Sequence, residues 1–210
     1  MHPFFLVMNT ESDIYYTIAK ATEGLYTEKR SKFLAFAYPV SSIDEVNIHL
    51  ESCRKKYFDA RHVCYAYMLG PERNVFRAND NGEPSSTAGK PILGQINSAG
   101  LTDILIVVVR YFGGIKLGTS GLIVAYRTAA AEAISAAERI EKTIDETILF
   151  NFEYPFLNDV MRIVKDMNPT ILLQSYNSDC QMKLRIRRSL MSRRHDKLLK
   201  VDTLFFPDEQ

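Results

Sequence analysis

Three groups of residues have types and spacings that could do chemistry. The first is Arg110-Tyr111-Phe112-Gly113-Gly114-Ile115-Lys116-Leu117-Gly118-Thr119-Ser120-Gly121, which follows the apolar run Ile104–Val109 and precedes an alanine-rich segment. A buried strand that feeds a glycine-rich loop opening into a helix can present backbone N–H groups to an anion. Arg110 and Lys116 are the cations best placed to help. Gly113 and Gly118 have Walker A spacing, but Thr119 stands where that motif needs Lys, and the pattern is not Gly-x-Gly-x-x-Gly. Two readings stay open: a structural turn, or contact with phosphate or an RNA backbone through Gly113, Gly114, Lys116, Gly118, Thr119 and Gly121.

The second group is the polar loop Asp80–Pro91, with Asp80, Glu83 and three hydroxyls. A carboxylate pair held at a defined separation could do acid–base work. A hydrolytic cleft would then use His62, Asp80, Glu83 and Arg110, although no catalytic residue is assigned. In a ligand-binding reading, Thr87, Gly89 and Lys90 supply contacts. The structural alternative has Asp80 closing an Asx turn and Thr87 bonding nearby backbone. The third group is basic: Lys183, Arg185, Arg187, Arg188, Arg193 and Arg194, with Lys197 and Lys200 beyond. Lys183, Arg185 and Arg187 alternate with Leu184 and Ile186, so a strand here has one basic and one buried face. Such a face suits RNA backbone contact; a solvated charged surface is the alternative.

His62 and Cys64 share a strand face, and His49 and Cys53 share a helical one, but the short Cys-x-x-Cys spacing of a zinc knuckle is missing. No metal or cofactor is expected. A Cys–His nucleophile is disfavoured too, because side chains at i and i+2 run parallel and nothing marks a third, orienting group.

These groups must be positioned by a chain of 210 residues, enough for one large or two modest domains. With 46% hydrophobic and 24% charged residues it has globular composition. Its net charge of +1 exerts no global pull on nucleic acid, so any such binding rests on a local patch. Three widely spaced cysteines argue against a disulfide framework and for a reducing compartment, and a cytoplasmic location is expected. Phe4–Met8 is too short for a signal-peptide core, and Ile104–Val109 is far too short for a membrane span.

The patterning predicts strands over Ile14–Ile18 and Phe33–Tyr38 as an antiparallel pair, with a turn at Glu23-Gly24. Ser42 and Glu45 form a capping box before an amphipathic helix over 43–57. Arg61–Leu69 reads as a strand with His62, Cys64, Ala66 and Met68 on one face and Val63, Tyr65 and Tyr67 on the other. A helix from Pro91 ends before Gly100. Asp103–Arg110 is apolar on both faces and therefore central. Thr119 or Ser120 caps a helix over 121–137. A boundary near 141 separates domains over 10–141 and 142–210. The second reads as strand, helix, strand, strand, helix, strand (147–153, 156–167, 171–175, 181–187, 189–201, 204–207), a ferredoxin-like split βαβ sandwich.

Three stretches taken together resemble the signature of the IMPACT family, in its bacterial YigZ-like branch. They are Arg61-His62-x-Cys64-x-Ala66-Tyr67, then Asp80-x-Gly82-Glu83-Pro84-Ser85-x-Thr87-Ala88-Gly89-Lys90-Pro91-Ile92-Leu93, then Val107 through Gly114 with Leu117-Gly118-Thr119-x-Gly121-Leu122. The resemblance implies an α+β protein: an N-terminal domain similar to the second domain of a small-subunit ribosomal protein, and a ferredoxin-like C-terminal domain. It implies no catalytic activity. Eukaryotic relatives act in translational control by engaging an activator of a stress-responsive kinase, so the resemblance implies a translation-regulating partner. With the glycine-rich loop and the basic group, the expected role is binding of RNA, the ribosome or such a partner. Asn81 stands where the family usually has a second Asp, which weakens a paired-Asp metal site. Ser86 and Ser120 stand where it usually has Gly, and either would be strained at positive φ.

Overall fold

The structure is a computed structural model that describes residues 13–177, 179–190, 198 and 204–206. In chain order the elements are β1 (Ile14–Ile18), β2 (Thr22–Glu28), β3 (Ser31–Pro39), α1 (Ile43–Lys56), β4 (His62–Leu69), β5 (Val75–Asn79), α2 (Gly89–Ser98), β6 (Ile104–Tyr111) and α3 (Gly118–Ser135). Then follow β7 (Arg139–Thr143), β8 (Asp145–Glu153), a single 3-10 turn, α4 (Leu157–Met167), β9 (Thr170–Tyr176) and β10 (Asp179–Arg187). The chain divides into two compact units, Tyr15–Lys142 and Thr143–Gln210 with Met1–Ile14.

The first unit is built on a five-stranded sheet in the order β2-β3-β6-β4-β5, with every pair antiparallel. As its double apolar alternation predicts, β6 is central: Ile104, Ile106 and Val108 face one core with Ala125, Tyr126 and Ala129 of α3. Leu105, Val107 and Val109 face the other core, with Val46, Leu50 and Cys53 of α1. On β4, Cys64, Ala66 and Met68 join the first core while Val63, Tyr65 and Tyr67 join the second. Ser42 caps α1 by accepting from the Glu45 N–H at 3.2 Å. Glu45 in turn accepts from the backbone N–H of Ser41, one residue earlier than the standard box.

Several expectations need correction. β1 pairs with β7 rather than with β3, and β3 instead lies between β2 and β6. Glu23-Gly24 lies inside β2, opposite Phe36 and Ala35 of β3, and a Cβ at position 24 would come within 2.4 Å of the Ala133 nitrogen. Gly there lets the backbone of α3 approach the sheet. β5 was not expected: it is an edge strand whose Val75, Phe76 and Arg77 are exposed, so no buried alternation marks it. Helix α3 starts at Gly118, with Leu117 at its N-cap and no side-chain cap, so neither Thr119 nor Ser120 plays that role.

In the second unit, β10 lies between β8 and β9, antiparallel to both. Phe205 bridges antiparallel to Asn151 on the other edge of β8. With α4 joining β8 to β9, this is the split βαβ arrangement of a ferredoxin-like sandwich. Phe150, Phe152, Val160, Val164, Met182 and Leu184 fill its core. Asp13 also belongs to this unit: its carboxylate receives both Arg187 Nε (2.6 Å) and Nη2 (2.8 Å). Among the described residues no helix is long and apolar enough to cross a membrane.

Candidate functional site

At the end of β6 the central strand delivers Arg110 to the α3 side of the sheet, in step with Ile106 and Val108. Its cross-strand neighbours are Phe33 on β3 and His62 on β4. The Arg110 side chain is only 8% exposed. Its guanidinium lies 5.5 Å from the ring centroid of Phe33 and 5.7 Å from that of Phe112. Its Nη1 donates to Glu83 Oε1 at 2.6 Å, and the Tyr126 hydroxyl donates to the same oxygen at 2.8 Å. Arg110 Nε is buried with no hydrogen-bond partner among the described residues. An unsatisfied donor on a buried cation is costly.

Arg110 lines a cleft of about 790 Å³ together with Asp59, Arg61, His62, Glu83 and Lys116. Tyr111, Phe112 and the first residues of α3, including Gly118 and Thr119, complete its wall. Three cations thus meet two carboxylates, of which Glu83 is bonded to Arg110 and Asp59 accepts from the Tyr111 hydroxyl at 2.8 Å. The uncapped N-terminus of an 18-residue helix adds the positive end of its dipole. Gly114 and Gly118 take left-handed φ of 90° and 73° to turn the loop. At Gly113 a Cβ would sit 2.1 Å from the Arg30 carbonyl carbon, so Gly alone fits between loop and hairpin. Gly113 and Gly114 therefore shape the loop, Gly121 lies within α3 away from the cleft lining, and Lys116, Gly118 and Thr119 reach the cleft.

The loop over 80–88 behaves differently from its acid–base reading. The Asp80 carboxylate accepts from the backbone N–H groups of Ser86 (2.8 Å), Ala88 (3.0 Å) and Gly89 (2.8 Å). Burial alone would raise its pKa; these bonds and the nearby Lys90 outweigh burial and hold it below the ordinary value. Asp80 is thus the anchor of the α2 start and does not line the cleft, so the expected grouping of His62, Asp80, Glu83 and Arg110 lacks one member. His62 Nδ1 donates to the Asn81 carbonyl at 3.0 Å, and Asn81 Oδ1 accepts from the Val63 N–H at 2.8 Å. Asn81 therefore pins the loop to β4. Thr87 is buried and bonds the Pro84 carbonyl at 2.7 Å, and Gly89 is buried against Asn79. Lys90 is exposed on a separate, shallower depression with Ser86 and Arg127. Ser86 has φ 66°, the strained conformation its Cβ disfavours, while Ser120 is not at positive φ.

The cysteine and histidine candidates are held apart. Cys53 packs under α1 beside Tyr38, on which His49 stacks at 4.2 Å, and Cys64 packs on the opposite face of the sheet. Cys64 Sγ donates to the Asp80 carbonyl at 2.9 Å and contacts the Tyr126 hydroxyl at 3.4 Å, and burial pushes its thiol up to about 12.

Of the basic group, Lys183 and Arg185 stand exposed on β10, alternating with buried Met182, Leu184 and Ile186. Arg187 is paired with Asp13, and Arg188 Nε with Glu146 at 2.8 Å. Arg193 and Arg194 lie outside the described residues. Position in the chain gave no hint of these two pairs, since Asp13 and Arg187 meet only through the fold.

The arrangement defines a two-unit α+β protein whose first unit closes a cationic cleft at a strand–loop–helix junction. Residues 29–134 match the Impact N-terminal domain. The Bacillus subtilis protein described as IMPACT family member YvyE is 34% identical over 146 residues, which are 70% of this chain and 67% of that protein. The Escherichia coli IMPACT family member YigZ is 33% identical over 164 residues, 77% and 78% of the two chains. A crystal structure described as that of a hypothetical protein superposes with a TM-score of 0.72 at 26% identity, covering 95% of this chain and 100% of that one. The chain belongs to the IMPACT family.

Proposed function

We propose that this protein binds RNA through the cleft at the start of α3, on RNA itself or on the ribosome, as part of translational control. The observation that carries this reading is the gathering of donors in one cleft, where Arg110, Arg61 and Lys116 meet the open N-terminus of α3. A phosphate group supplies the acceptors that such donors need. Family membership supports the translational setting, whether the direct partner is RNA, the ribosome or a regulatory protein. Lys183 and Arg185 on β10 offer a second phosphate contact. A hydrolytic reading is less favoured, because Asp80 is saturated by backbone N–H groups and Glu83 is engaged by Arg110 and Tyr126.

The test is binding to ribosomes and mixed cellular RNA over a range of salt. Arg110→Ala is a poor probe, since an unpaired buried Glu83 costs about 3–5 kcal/mol of stability. Arg61→Ala/Lys116→Ala and Lys183→Ala/Arg185→Ala leave the core intact. Each lost phosphate contact should lower the slope of log K against log salt by about 0.7 on single strands. No binding at low salt would sink the proposal.

A further inference from the structure

β2 and β3 are joined by a turn of two residues, Lys29 and Arg30, with Glu28 and Ser31 as the closing pair. Both turn residues have positive φ, 45° and 63°. Two-residue hairpins of this geometry favour Asn-Gly, because a residue with a Cβ is strained there. This chain instead places two long cations at the tip, with Lys32 following, and all three are exposed. Strain retained where a less strained residue would fit is an observation that points to function.

The tip lies beside the cleft's loop. Gly113 N–H donates to Ser31 Oγ at 3.1 Å, a Cβ on Gly113 would meet the Arg30 backbone, and Lys32 pairs with Tyr111 of the cleft wall. Phe112, in the cleft wall one residue before Gly113, is 57% exposed and in contact with the Arg110 guanidinium. An exposed aromatic ring set among backbone-neutralising cations is the design of a single-strand binding surface: bases stack on the ring and phosphates track the cations. We infer that the Lys29-Arg30 hairpin is the second half of the cleft's ligand surface, and that the ligand is single-stranded RNA. One phosphate lies at Arg110 and α3, one base lies on Phe112, and the following phosphates run to Lys29, Arg30 and Lys32. This inference rests on the cleft being an RNA site.

The discriminating variant is Lys29→Asn/Arg30→Gly, which fits the turn better than the natural residues. Its thermal midpoint should rise by about 2–4 °C, the response of a chain this size to relief of one strained turn. Its affinity for a fluorescent single-stranded RNA should fall about tenfold at 50 mM salt, and the salt slope by about 1.4. Phe112→Ala should weaken the single strand several-fold and leave a duplex of the same length unchanged. A variant that is stabilised but binds the single strand as tightly as the parent overturns the hairpin's role. Equal losses on single strand and duplex in Phe112→Ala overturn the single-strand assignment. If the parent chain binds no RNA at low salt, the cleft reading itself fails, and this inference with it.

Discussion

At the scale of the residue, Ser86 shows how a departure from the family pattern is accommodated. Its side chain is carried at φ 66°, and its N–H is one of the three held by Asp80. The left-handed conformation costs a residue with a Cβ about 1–2 kcal/mol, which the greater backbone entropy of Gly offsets in part. Ser86→Gly should therefore stabilise the protein by about 0.5–1 kcal/mol, read as a higher urea midpoint at unchanged slope. An unchanged or lower midpoint would mean that the Ser hydroxyl contributes more than the strain removes. The strain could be anticipated from residue type, but its location could not, because φ at 86 follows from bonds Asp80 makes across the loop. Glu83 and Arg110 illustrate the same limit. Both stood out as candidates, yet their separation in sequence says nothing about the 2.6 Å contact between them.

At the scale of the element, the strands with two buried faces or clean alternation, β4 and β6, were legible down to their faces. The edge strands β2 and β5 were not, because an element with one solvated side and a Gly or Arg within it loses the period-2 signal. Loops leave even less trace, since their order comes from side chain–backbone bonds at irregular separations. Asp80 organises one such loop and carries a pH signature. Its folded pKa lies below the unfolded value of about 3.9, so its contribution is fully present above that pH and is lost as pH falls towards the folded value. Asp80→Asn should cost about 1.5–3 kcal/mol near pH 7, as expected for hydrogen bonds to a charged acceptor. The gap between parent and variant should close in acid, below about pH 4. Denaturation curves at pH 7, 4 and 3 would show it, and a gap constant across that range would mean that charge on Asp80 is unimportant.

At the scale of the whole molecule, both architectures were legible through their order of elements and through the family signature. The placement of Asp13 was not. Asp13 joins the second unit through Arg187, and the N–H of Ile144 donates to the Asp13 carbonyl at 2.7 Å. The first unit depends on β6, which lies between β3 and β4 and hydrogen-bonds to both. A chain ending after residue 103 keeps four of the sheet's strands but lacks the one that joins them. It should show no cooperative thermal transition and should bind a hydrophobic dye. A cooperative transition in that fragment would show that β3 and β4 can close on each other directly.

The same insertion has a consequence for how the protein is made. During synthesis β3 and β4 emerge well before β6, and the interval from residue 69 to residue 111 takes about 2–8 s at 5–20 residues per second. For that time two apolar strands, each with an edge awaiting its neighbour, stand exposed outside the ribosome. A nascent chain of this kind needs shelter, so its yield should depend on ribosome-associated chaperones and on translation speed more than the stability of the finished fold would suggest.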